Sequence, residues 1–141
     1  MHRNELGGVP LVLDPELLAG RGLEDAPAQV GREVGNPRRI VVAPEANPKT
    51  SMLFYGDVIV VVYESPPGTF ELEDTLFDEY VHVLAGKLIL TDRQGNVREV
   101  DTGDHVLVPK GFCGTWKMEG EVYRELVVAE KKTLMEDAKA A

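Results

Sequence analysis

Apolar and polar positions alternate over short distances for most of the chain, and no apolar stretch recurs at helical spacing for long. From residue 51 onward the pattern predicts strands: Ser51 to Tyr55, Val58 to Glu64, Thr69 to Leu72, Glu79 to Leu84, Lys87 to Thr91, Val97 to Val100, His105 to Val108 and Val122 to Ala129. The turns between them are legible from their residues. Gly86 is expected to end one strand, Asp92-Arg93-Gln94-Gly95-Asn96 to reverse a hairpin, and Pro109-Lys110-Gly111 to stop a strand. Strands this short, with no helix-length segment between them, predict an all-β antiparallel sandwich or barrel rather than βαβ units.

Residues 1–50 read differently. Asp14-Pro15-Glu16-Leu17-Leu18 predicts a brief helix with Asp14 as its N-cap and Pro15 in its first turn, ended by Gly20 and Gly22. From Leu23 to Arg39 an irregular arm is expected, its Leu23, Val30 and Val34 docking on the barrel or on a second subunit. Arg39 to Val42 is expected to be a strand. The domain reading is an N-terminal arm over 1–50, a barrel over 51–130 and a tail over 131–141 with weak helical composition.

Composition narrows the partners. The net charge of −9 is uneven: residues 1–50 hold 6 basic against 7 acidic side chains, and residues 51–141 hold 9 against 17. An acidic barrel argues against nucleic acid and anionic membrane, both of which want basic patches. A single cysteine excludes an internal disulfide, no signal-peptide pattern opens the chain, and the expected location is the cytoplasm. Val58 to Val62, apolar on both faces, supports a homodimer as cover for exposed sheet.

Two spacings in the central stretch, Glu79-x6-Gly86 and Gly103-x5-Pro109-x-Gly111, resemble the two sequence motifs of the cupin family. Through FDEYVHVLAGKLILTD, TGDHVLVPKGFCGTW and Arg124, the chain resembles the branch related to (S)-ureidoglycine aminohydrolase. The resemblance implies a cupin-type jelly-roll barrel, and, in members that bind metal, a divalent first-row ion held by histidines and a carboxylate inside it. Glu79 takes the carboxylate position. The histidine positions fall on Glu73 and Thr75, or on Leu72 and Asp74, and the remaining ligand position falls on Gly114. None is a histidine, so no metal cofactor is expected.

The three histidines lie elsewhere. His2 is terminal. On an alternating strand His82 faces away from Glu79, where packing or an interface is its expected role. For His105 a surface hydrogen bond is expected. Alternation counted from Gly114, where a missing side chain would leave room, puts Phe112 and Trp116 on the inward side. The expected site is therefore a cavity lined by Phe112 and Trp116, with Glu73 and Glu79 as carboxylates and Arg124 beside them, binding a small polar metabolite. Glu79 is the best catalytic candidate, because a carboxylate buried among aromatic rings tends to a raised pKa. The enzymatic alternative is a metal-dependent cupin hydrolase or isomerase on a small polar metabolite.

Overall fold

A computed structural model describes residues 8–25, 40–41 and 48–130. The readings made for His2, Val30, Val34 and the 131–141 tail lie outside the described residues.

The helix forms where the cap chemistry placed it. In α1 (Pro15–Leu18) the Asp14 carboxylate accepts the Glu16 N–H at 2.9 Å, and Gly20 takes a positive φ of 88° just past the end. Nine strands follow among the described residues: β1 (Glu24–Asp25), β2 (Ile40–Val41), β3 (Lys49–Tyr55), β4 (Val58–Ser65), β5 (Gly68–Leu72), β6 (Glu79–Asp92), β7 (Val97–Val100), β8 (His105–Val108) and β9 (Gly114–Glu130). All described pairings are antiparallel. No described helix is long and apolar enough to cross a membrane.

The spine is the β6–β9 pair, in register from Glu79↔Ala129 to Asp92↔Gly114. On its far side β9 pairs with β5 along its first half and with β4 along its second. On its far side β6 pairs with β8 and then β7. The inward residues of β4 to β9 meet in one core that includes Ile59, Leu72, Val81, Val100, Val108 and Trp116. One core shared by strands all round the sheet is the expected jelly-roll barrel.

Two departures from the expected strands matter for the site. Gly86 does not end a strand; it sits at an irregularity inside β6, between Ala85 and Lys87. There the inward set changes parity, from Val81 and Val83 to Leu88 and Leu90. β9 begins at Gly114 rather than Val122, and it too changes parity, from Trp116 and Met118 to Tyr123, Glu125, Val127 and Ala129. Gly86 and Gly120 face each other at this corner, each with positive φ. A methyl on Gly120 would approach the Gly86 Cα to 3.0 Å.

A second, smaller core lies on the outer surface. Leu13, Leu17, Leu18 and Leu23 pack on Leu53, Val62 and Leu126, with Val60 and Leu84 at the margin. Of the outward valines of β4, Val60 and Val62 thus find cover within the chain, while Val58 stays exposed.

Candidate functional site

β9 supplies the polar centre of the barrel interior. The parity change near Gly120 turns Tyr123 and Glu125 inward, and register sets Glu125 between Tyr63 of β4 and Val83 of β6. Tyr123 is fully buried and Glu125 only 6% exposed, which makes it the one buried carboxylate among the described residues. Removing a carboxylate from water is costly without a hydrogen-bonded partner. Tyr123 Oη provides one, donating to Glu125 Oε1 at 2.6 Å.

The tyrosine is held in its neutral form. Burial pushes its hydroxyl far above the ordinary phenol value, and the Glu125 charge and hydrogen bond add to this, followed by Tyr63 and Glu79. Four oxygen-bearing side chains therefore share one electrostatic environment: Tyr63, Glu79, Tyr123 and Glu125. Tyr123 stays a donor, and the carboxylates carry acceptor character into an apolar wall.

The expected site residues divide in three. Glu79, half-buried, opens β6 on the same inward row as Val81 and Val83. Trp116 is buried in the core between Phe70 and Leu90 in register, and Phe112 packs against that core from the loop before β9. The other two do not join them. Glu73 is exposed, 3.6 Å from Arg93, on the rim of a cavity of about 250 Å³ that also involves Glu71, Thr91, Asp92 and Thr115. Arg124, between two inward residues, points to the outer face. Its Nε lies 2.9 Å from Glu64 Oε1, and the Gly20 backbone covers its guanidinium so closely that a methyl there would fall 2.6 Å from Nε.

Gly114 also has a different role from the one expected. No space is left at that position: a methyl group would run into the Thr91 carbonyl and fall 2.9 Å from the Asp92 Cα. Glycine lets β9 approach β6 closely. Thr75 is engaged too, since its hydroxyl donates to the Pro109 carbonyl at 3.1 Å and accepts the Phe112 N–H at 2.9 Å, stitching two loops together.

The metal set that the sequence resemblance implies does not fit these residues. Of the aligned positions Glu73 lies outside, Thr75 is bound to backbone, Gly114 has no side chain and only Glu79 faces inward. Among the described residues no group of three or more His, Cys, Asp or Glu is placed to hold an ion. The interior offers oxygen donors and aromatic faces.

Sequence reasoning missed Tyr63, Tyr123 and Glu125. The available signal was an acidic residue, Glu125, at the head of the apolar run Leu126 to Ala129 and two positions after Tyr123.

Comparison with known proteins agrees with the barrel. Solved structures that resemble it include ethanolamine utilization protein Q of Salmonella typhimurium, at 20% identity and a TM-score of 0.51 over 60% of this chain and 70% of that one. The EutQ protein of Clostridium difficile matches at 21% identity and 0.50 over 62% and 70%. A Pseudomonas syringae protein of unknown function matches at 20% and 0.57 over 76% of this chain and 43% of its own. At these identities the likeness establishes fold. No curated protein sequence matches. The family model for the EutQ-like cupin domain matches residues 50–125, more than half of the chain, and the protein belongs to that family of cupins.

Proposed function

We propose that the barrel is a binding site for a small polar organic molecule whose cationic or hydrogen-bond-donating group meets Glu125 and Glu79, with Tyr63 and the aromatic core beside it. The observation that carries this reading is Glu125, a carboxylate held on the inner wall by a tyrosine that remains protonated. Burying such a pair costs stability that a purely apolar core would not lose, which fits a recognition role. Aromatic faces near a bound cation add attraction. A carboxylate pair is also the oxygen set a general base would need, so catalysis on the same ligand class is compatible with the wall.

The test is a thermal-shift panel of small amines, guanidines, alcohols and carboxylates. A ligand at about a hundred times its Kd stabilises the protein by about 2.7 kcal/mol. Cationic compounds are expected to raise the Tm of the wild type, with the shift lost in Glu125→Gln. A panel in which only carboxylates stabilise, or in which Glu125→Gln responds like the wild type, contradicts the proposal. The alternative, a metal-dependent hydrolase or isomerase resembling ureidoglycine aminohydrolase, requires one divalent ion per chain that disappears in Glu79→Ala.

A further inference from the structure

The outer face of the β6–β8 pair carries two imidazoles side by side. His82 and His105 are directly opposed in register, with ring centroids 4.2 Å apart and planes inclined by 25°. Tyr80 shares that face. Its ring stacks on His105 at 5.6 Å, and its hydroxyl is hydrogen-bonded to His105 Nδ1. His105 is exposed and His82 half-buried, so both are within reach of solvent. The barrel interior uses none of the three, because they alternate with Glu79, Val81 and Val83.

We propose that His82 and His105 together ligate one divalent first-row transition-metal ion on the outer surface, with water filling the remaining positions. Directly opposed residues on antiparallel strands bring their Cβ atoms to about 5 Å, a separation from which two imidazoles reach a common ion. The rings lie face to face without an ion, so chelation turns the His82 ring, while Tyr80 holds the His105 ring in place. The His105 Nδ1 is already engaged by Tyr80, which leaves Nε2 as the ligating nitrogen. In the tautomer whose Nδ1–H donates to the Tyr80 oxygen, the Nε2 lone pair is presented, the arrangement common behind metal-bound histidines. Among the described residues no third His, Cys, Asp or Glu joins the pair. An ion there keeps open positions and exchanges readily, unlike a closed structural site. Imidazole pairs favour copper, nickel and zinc over calcium or magnesium. The net charge of −9 favours any cation.

The test uses the full chain, stripped with chelator and titrated with Ni²⁺ by calorimetry. One ion per chain is expected. Replacing either ring, in His82→Asn or His105→Asn, is expected to weaken binding by about tenfold or more. His105 is exposed, so His105→Asn keeps the test readable should His82→Asn fold poorly. Ring signals of His82 and His105 are expected to broaden first in NMR spectra as Ni²⁺ is added. His2→Asn and Glu125→Gln are expected to bind as the wild type does, which separates this site from the terminus and from the barrel interior. Unchanged affinity in the double variant His82→Asn/His105→Asn, or no measurable binding by the wild type, overturns the proposal.

Discussion

The two faces of one strand handle charge in opposite ways. On the inner face of β9, Glu125 is 6% exposed and meets a neutral partner, Tyr123. One residue earlier, on the outer face, Arg124 meets a charged partner, Glu64, and is covered by the N-terminal segment. The outer pair is neutral as a unit and keeps some contact with water, with side chains 15% and 17% exposed. The inner pair joins a buried carboxylate to a hydroxyl that burial keeps protonated. An ion pair closed on itself has little to offer a ligand, whereas a carboxylate propped by a donor can still accept. On the proposed reading, the outside of β9 serves structure and its inside serves recognition.

Disturbing the glycine that lets β9 approach β6 is expected to have the largest effect. Gly114→Ala forces a methyl into the Thr91 carbonyl, and a destabilisation of about 3 kcal/mol is expected by chemical denaturation, the upper end for overpacking. Next, Arg124→Met strands Glu64 under the arm and is expected to cost about 2 kcal/mol with no change in ligand response. A loss of ligand response in Arg124→Met would erase the distinction between the two faces.

Tyr123→Phe removes the donor to Glu125, for an expected cost of about 1.5 kcal/mol at neutral pH. It also changes the alkaline limb. The folded-state value of Tyr123 is raised above its unfolded value of 10.0, so its contribution is present in full below pH 10 and declines as pH rises beyond it, where only the unfolded chain ionises. The variant is expected to lose stability less steeply above pH 10 than the wild type. An identical slope would mean that Tyr123 is not held neutral. The smallest expected effect is Thr75→Val, about 1 kcal/mol from the loss of one loop-to-loop hydroxyl, read by the same denaturation curves.

The fold was readable because turn residues and period-two alternation report on local geometry, and the capped helix at Asp14-Pro15 for the same reason. The interior was readable only in part. Alternation holds along an unbroken strand, and it gave Glu79 inward and His82 outward. It fails across a bulge. Counting from the buried Trp116 by twos puts Arg124 inside, but the change of parity near Gly120 turns Arg124 out and brings Glu125 in. Whether a glycine marks a strand end, as expected of Gly86, or a bulge within a continuous strand depends on what lies across the sheet. For Gly86 that is the Val122 carbonyl, 2.7 Å from where a methyl would sit. Likewise the direct opposition of His82 and His105 is a matter of register between β6 and β8, which no local pattern encodes.

The most direct test is native mass spectrometry, with metal analysis, of His82→Asn/His105→Asn protein purified without chelator, so that the outer imidazoles hold no ion. The expected result is a chain free of stoichiometric metal that retains a small organic adduct, with the adduct lost when Glu125→Gln is added. A stoichiometric divalent ion in that background, released by Glu79→Ala, would contradict the account.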